Sequence, residues 1–368
     1  MSDVVPFDIQ TEIIKKLPIK SLIRFRSLSK PWKSLIDSSK FIHDNSLREN
    51  QTHHLVLRYK FDKVLKYLSL IDDDSFPEHR FWPTVPVTLN GPQYTSKLGS
   101  SRGIICFAVF IQDIDKSYDK VVLWNPTIRK SVDVVLGNHP DIVIGFGVCP
   151  NTSDPKLVKI NCVSWEVEVF TLSSRVWRSI SITMPSKPVE LSWDQVCING
   201  VIYLLSNDKI DAGRHKRIIT FDLKSEELGE VFLSDNLAYS TGNMIVSKLM
   251  DSLVVIESFI NNEGQKPICS VWKMNHGVLK SFTKLYTVNG IDSAMWNGVL
   301  EFRKNGEPIF EEVDDSTGEL TLLDVYDPCS GHVKILKFDE VHGCLTRCSV
   351  SSYTETLALL NQLDPIIY

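Results

Sequence analysis

Residues 5–41 read VPFDIQTEIIKKLPIKSLIRFRSLSKPWKSLIDSSKF, and their punctuation breaks them into three short helices. The first spans about Asp8 to Lys16, with Ile9, Ile13 and Leu17 at i, i+4 and i+8 on one face. Pro6 sits where a helix start tolerates proline, and Pro18 ends the run by forcing the residue before it out of the α region. The second covers roughly Lys20 to Ser27, with Leu22, Phe25 and Arg26 on one side. Ser29 is placed to cap a third, in which Trp32, Leu35 and Ile36 repeat at i, i+3 and i+4. A unit this small buries too little surface to be comfortable alone, so its apolar set calls for a partner.

The whole chain has 368 residues, 43% of them hydrophobic and 23% charged, which places it among globular proteins. The net charge of −5 is unevenly spread: Lys15 to Lys33 holds basic residues and no acid, leaving the remainder more acidic than the total. Such a basic unit could approach phosphates, but no base-reading motif accompanies it, and a surface facing an acidic protein is the preferred reading. The start, MSDVVPFDIQ, lacks the basic and apolar regions of a secretion signal, and the longest apolar run, Ile104 to Ile111, is far below a membrane-spanning length. The expectation is therefore a cytoplasmic or nuclear protein with no membrane partner. Its eight cysteines contain no C-x-x-C pair and read as free thiols. No metal or other cofactor is expected.

Beyond Ser38 to Thr52 the helical period disappears, which sets a boundary between residues 1–48 and 49–368. Short apolar runs take over, such as LVLRY at 55–59 and IICFAVFI at 104–111, and Asn-Gly, a strong hairpin signal, occurs five times. An aromatic residue closing an apolar run recurs at Trp124, Phe170, Phe221, Trp272 and Tyr326, with separations of 46, 51, 51 and 54 residues. Each is followed by a small polar turn and another apolar run. A four-strand unit at that spacing is the signature of a β-propeller blade, and a degenerate first unit at 54–90 makes six. The last β-like run, Cys344 to Val350, is expected to pair with His54–Tyr59 and close the ring.

The remaining connections, at 72–93, 112–119, 183–190, 207–216, 234–242, 260–267 and 303–319, are longer and polar and are expected to share one face. Long loops on a rigid scaffold are where binding usually resides. Two features mark that face as a target-binding surface: Phe81 and Trp82 in a proline-flanked polar connection, and the cationic run Arg214, His215, Lys216, Arg217. Gly99-Ser100-Ser101-Arg102-Gly103 matches G-x-S-x-G, but a nucleophile elbow needs a helix after it, and IICFAVFI reads as strand. No catalytic constellation emerges.

Residues 5–41 also resemble the F-box in its plant form: Pro6, Asp8, Glu12-Ile13, Leu17-Pro18, Lys20-Ser21-Leu22, Arg24-Phe25-Arg26, Ser29-Lys30 and Trp32-Lys33 stand in its order, with Val5 replacing the usual leucine. GSSRGIICF at 99–107, LWNPTIRK at 123–130, IGFGVCP at 144–150, VEVFTLSSRVWRSI at 167–180 and INGVIYLL at 198–205 look like landmarks of the plant F-box-associated domain, type 1. SYTETLALL at 352–360 resembles its ending. Departures include Ser101-Arg102 for Cys-Asn and Tyr203-Leu204 for His-Trp. The chain thus resembles plant F-box proteins of the S-locus-F-box-like and F-box/kelch types. The fold expected is mainly β with a small N-terminal α module, a three-helix F-box followed by a β-propeller-like domain of six blades.

The resemblance implies a non-catalytic substrate receptor of an SCF-type cullin–RING ubiquitin ligase. Its F-box would dock on the Skp-family adaptor and its propeller would hold an unknown target protein. Pro6, Ile9, Ile13, Leu17, Pro18, Leu22 and Leu28 are the expected apolar adaptor contacts, with Trp32 partly beneath them. A helical DNA-binding unit fused to a sensor propeller is the rival reading from another class, and a propeller enzyme with a helical docking tail a second; an adaptor pull-down separates them.

Overall fold

The computed structural model describes residues 5–48, 51–61, 64–91, 94–112, 117–137, 141–182, 190–210, 213–260, 267–275, 281–289, 295–313, 320–336 and 346–362. Four helices come first: α1 (Phe7–Ile14), α2 (Ile19–Arg26), α3 (Lys30–Ile36) and α4 (Ser39–Ser46). Ser29 caps α3 by accepting from the Trp32 amide, and Ser38 caps α4 by accepting from the Phe41 amide. The fourth helix replaces the polar boundary expected after Ser38. Its inward face consists of Phe41, Ile42 and Asn45, too few positions to register as a period in a short window.

Twenty-four strands follow among the described residues, in six four-stranded antiparallel sheets. The first sheet holds β1 (His53–Phe61), β2 (Val64–Ile71) and the two-residue β3 (Arg80–Phe81). The second holds β4 (Tyr94–Ser101), β5 (Ile104–Gln112), β6 (Ser117–Asn125) and β7 (Lys130–Val135). The third holds β8 (Ile142–Val148), β9 (Pro155–Asn161), β10 (Val167–Thr171) and β11 (Val176–Ile180). The fourth holds β12 (Glu190–Ile198), β13 (Val201–Ile210), β14 (Gly213–Asp222) and β15 (Leu228–Phe232). A short helix, α5 (Asp235–Ala238), leads to the fifth: β16 (Asn243–Leu249), β17 (Ser252–Ile260), β18 (Pro267–Asn275) and β19 (Ser281–Asn289). The sixth holds β20 (Met295–Phe302), β21 (Pro308–Val313), β22 (Leu320–Tyr326) and β23 (Val333–Leu336). The last strand, β24 (Thr346–Thr354), returns to the first sheet, whose order is β24-β1-β2-β3.

The ring is therefore closed by its first and last strands, with Leu55 opposite Ser352 and Leu57 opposite Val350. This is the pairing expected from sequence, shifted a few residues toward the C-terminus; Cys344 itself lies outside the described residues. Closure leaves only short outer edges exposed, the usual solution to the edge-strand problem.

Six apolar clusters fill the spaces between neighbouring blades, and period-2 alternation feeds two of them from each strand. On β1, Leu55 and Leu57 face the sixth blade while Val56 faces the second. Because both faces of a blade are covered, its strands read as continuous apolar runs rather than alternating ones. The five periodic aromatics all close the third strand of a blade, and Trp124, Phe170 and Phe221 are fully buried.

The turn after four of them has a recurring cause. Five residues beyond Trp124, Phe170, Phe221 and Tyr326 stand Arg129, Arg175, Glu226 and Gly331, all with positive φ of 57–72°. Asn125, Asp222 and Asp327, each directly after its aromatic, accept a backbone N–H two residues on. That side-chain bond nucleates the turn, and the left-handed residue ends it. Asn199-Gly200 forms a hairpin turn with φ of 51° and 83°. Asn297-Gly298 does not: it lies within β20, where the register against β21 slips.

Candidate functional site

A propeller has two ends. At one end lie the turns joining first to second and third to fourth strands of each blade; at the other lie the second-to-third connections and those passing to the next blade. The F-box occupies the first end. Ile14, Ile19, Leu22, Ile36, Phe41 and Ile42 form its core, and two residues from far down the chain complete it: Leu357 and Leu360, both buried. Ile128, in the β6–β7 turn, packs against the same cluster.

The segment after β24 is thus a strap clamped between the F-box and the second blade. The buried Asn125 amide donates to the carbonyls of Thr356 (3.1 Å) and Ala358 (2.8 Å), and Lys130 Nζ donates to the Gln362 carbonyl (2.8 Å). Gly103, at φ +78°, lies so close to the strap that a Cβ there would collide with Thr356 Oγ1 and the Thr354 carbonyl. A second link joins His43 Nδ1 to Ser153 Oγ in the β8–β9 turn at 2.6 Å.

With that side committed inward, the outer side of the F-box presents apolar surface. Ile9 and Ile13, one turn apart on α1, are each 54% exposed; Phe7, Leu28 and Val5 are also exposed, as are Pro6 and Pro18. Leu17 is half-buried, and Trp32 is half-buried between Phe25, stacked at 5.3 Å, and Phe7, edge-on at 6.5 Å. Leu22 departs from the expectation. It is 0% exposed, because α2 turns it into the shared core, so it supports the surface without forming part of it. Val5 and Phe7 were overlooked; their signal was their position beside Pro6 at the helix start. Arg26 holds α2 to α3 through both Asp37 oxygens, with Arg26 Nη2–Asp37 Oδ2 at 2.9 Å.

The residues expected to bind a target are not brought together. Phe81 lies in β3 opposite Ser69, near the F-box end, with Lys20 Nζ 6.0 Å from its ring centroid and His54 edge-on at 5.7 Å. Trp82 follows it, exposed, along the outer edge of the first blade. The stretches 72–93 and 303–319 are not single loops: the first contains β3, and the second contains β21, so each spans both ends of the ring. The stretch 207–216 is no loop either, since β13 and β14 run on as a hairpin to Ile210 and from Gly213.

The cationic run lies within that hairpin. Arg214 pairs with Lys209 in register, and its side chain lies outside the described residues. His215 meets Tyr239 edge-on at 5.3 Å. Lys216 is buried, with Nζ donating to the Gly242 carbonyl at 2.6 Å. Arg217 is buried between Asp208 and Glu230, at 3.0 Å from each. Lys216 and Arg217 brace the fourth blade and the loop beyond it. Ser101, of the G-x-S-x-G match, ends β4 and accepts from the Val148 amide of β8 at 3.1 Å, a link between the second and third blades. Of the expected long connections, residues 92–93, 113–116, 183–189, 211–212, 261–266 and 314–319 lie outside the described residues.

At the end away from the F-box, sequence reasoning missed a groove of about 1190 Å³ spanning the third, fourth and fifth blades. Trp193, Tyr239 and Val163 stand exposed on it. Trp193 sits in polar surroundings, SWD inside a strand, which was the one available sign. The central channel, about 1140 Å³, is lined by β4, β12, β16, β20 and β24 and crossed by an ion pair from Lys97 to Glu301 at 2.8 Å. Among the described residues no group of three or more His, Cys, Asp or Glu could hold a metal ion, and no helix is long and apolar enough to cross a membrane.

Two family profiles match: the F-box domain over residues 4–44 and the F-box associated beta propeller domain over 54–247. The latter is the third type, where the landmarks had resembled the first. Among Arabidopsis thaliana proteins, the chain is 25% identical over 304 residues to putative F-box protein At1g47790, covering 79% of this chain and 67% of that one. It is 26% identical to F-box protein At2g21930 over 61% of this chain and 59% of that one. F-box/kelch-repeat protein At3g23880 is 28% identical over 62% and 65%. The chain thus spans about three-fifths to two-thirds of the length of these relatives. TolB from Acinetobacter baumannii superposes with a TM-score of 0.48 at 9% identity, over 81% of this chain and 66% of that one. The helical unit, the six-bladed ring and both family matches agree: the chain belongs to the F-box proteins that carry an F-box-associated β-propeller domain.

Proposed function

We propose that the protein is the substrate receptor of an SCF-type cullin–RING ubiquitin ligase, acting in the cytoplasm or nucleus, its F-box bound to a Skp-family adaptor and its propeller to a target protein. The observation that supports this most is the two-sidedness of the F-box. Its inner side is spent on the strap and the second blade, while Ile9, Ile13 and Leu28 are left exposed on the outside. Isolated apolar side chains on a surface need no explanation, but several on one small unit mark an interface.

The chain contributes no bond-making group in this reading. It acts by holding a target's lysines near a charged ubiquitin-conjugating enzyme, so that an encounter between separate molecules becomes an intramolecular one.

Replacing Ile9 and Ile13 by Asp tests the proposal. Buried anchors of an interface cost roughly 2 kcal/mol or more each on truncation, so adaptor affinity should fall by about a hundredfold or more. Both side chains are exposed, so the thermal midpoint should stay within a degree or two of wild type. A double variant that co-purifies with adaptor as wild type does would refute the docking surface.

A further inference from the structure

We propose that the groove opposite the F-box takes an extended segment of the target in which lysine or arginine stands beside apolar residues. The inference rests on the substrate-receptor reading and names the chemistry of what that receptor would hold.

The first support is a distortion in β12. Leu191 pairs with Ser206, and the next pair is Gln195 with Leu204, so Ser192, Trp193 and Asp194 face a single residue, Leu205. Bulges of this kind re-aim a side chain next to a functional surface. Here the re-aimed side chain is Trp193. It is 52% exposed and meets Phe110 edge-on at 6.3 Å. A turn within the bulge fixes it: the Ser192 hydroxyl accepts from the Asp194 amide at 3.1 Å.

The second support is the facing wall. Tyr239 follows α5 and is 60% exposed, propped edge-on by His215. The loop carrying it is tied down on both sides. Lys216 holds the Gly242 carbonyl, and Ser240 Oγ bonds Glu257 Oε1. Two ordered, outward-facing aromatics on one concave surface are the composition of binding hot spots, since they lose little rotamer freedom on contact.

The third is charge. Asp141, Glu190 and Asp194 line the groove, and the lysine among its lining residues, Lys216, is already engaged with the Gly242 carbonyl. Carboxylates beside aromatic faces favour a cation twice over, by Coulomb attraction and by the ring quadrupole. Ile142, Leu191 and Met244 supply the apolar floor for its neighbours. A volume of about 1190 Å³ exceeds the usual range for small-molecule pockets, roughly 300–1,000 Å³, and suits a short stretch of chain.

The test pans the full chain, with and without the adaptor added, against surface-displayed heptapeptides. Three pools carry random apolar flanks around a central Lys-Arg, Glu-Asp or Ser-Asn pair. The Lys-Arg pool should be recovered at least about tenfold above the others. Trp193→Ala with Tyr239→Ala should remove that excess, and Glu190→Lys with Asp194→Lys should turn the preference toward the Glu-Asp pool. Adaptor binding should be equal in all three proteins. Equal recovery of the pools by wild type, or an unchanged Lys-Arg preference in either variant, overturns the proposal. Wild-type chain that selects the Lys-Arg pool yet binds no adaptor would uphold the groove and refute the receptor reading instead.

Discussion

The two ends of the ring use their residues in opposite ways. At the F-box end, side chains that would otherwise be solvent-facing are buried in a joint: Leu357 and Leu360 from the strap and Phe41 and Ile42 from α4, with Ile128 from a turn half-buried against them. At the far end, Trp193, Tyr239 and Val163 are large and left uncovered. The fold has no need of the second set, whereas without the first set the F-box would lack part of its core. One end is assembled for rigidity and the other is left open for contact.

The largest effect that would break this contrast comes from removing residues 346–368. That deletion takes away β24, and with it Val350 and Tyr353 from two inter-blade cores, leaving β1 as an unpaired inner edge. The expected result is loss of any cooperative thermal transition by circular dichroism. A truncated chain that still melts sharply would show that the ring does not depend on its closing strand.

Next in size is removal of the F-box. We propose that a fragment from residue 51 onward keeps its blades, as a separate module would. It also uncovers Leu357, Leu360 and Ile128, so it should fold but self-associate, as seen by light scattering. Leu357→Ser with Leu360→Ser in that fragment should restore a monomer. A fragment that is monomeric without those changes would mean that the joint is thinner than its burial indicates.

A smaller loss is expected at Asn125. The Asn125→Ala change leaves the Thr356 and Ala358 carbonyls without their donor in a buried site, costing about 1–3 kcal/mol. Denaturant unfolding would measure it, and a cost below about 0.5 kcal/mol would argue against a tightly held strap.

The smallest is at Glu226, which ties the third blade to the fourth through Lys156 (2.6 Å) and Arg178. Burial pushes its carboxyl up, but hydrogen bonds from Arg178 and Lys156 outweigh that and leave it below its ordinary value. A lowered folded-state pKa gives stability that is present above the unfolded pKa and lost as pH falls through the folded one. Wild type should therefore exceed Glu226→Gln by roughly 1 kcal/mol near pH 7, with the gap closing on acidification. A gap unchanged between pH 7 and pH 3 would contradict the ion-pair account.

These expectations divide along the line between what the sequence displays and what it conceals. Blade number was legible because blades repeat one local solution: an aromatic closing the third strand in five of them, followed in four by a left-handed residue and in three by an Asn or Asp turn. The F-box helices were legible from proline and serine punctuation. The sorting of loops between the two ends was not. It requires counting strands, and β3 is two residues long while β21 begins with proline and carries Glu311 and Glu312. The cationic run misled for a related reason. Lys216 and Arg217 look solvated in sequence, but their partners, Gly242, Asp208 and Glu230, are brought up by other strands and loops. Trp193 gave only a faint sign, its polar neighbours, because the register slip of β12 turns it outward.

The strap's role at the joint is most directly tested by hydrogen exchange on the full chain carrying Leu357→Ala and Leu360→Ala. Each truncation of a buried leucine removes about 2–5 kcal/mol from the core it belongs to. That core is the F-box's own, so amides of α2, α3 and α4 should lose most of their protection. Those of β12 to β18, across the ring, should exchange as in wild type. If the helices instead keep wild-type protection, the F-box folds without the strap, and the joint described here is only a contact between two independent units.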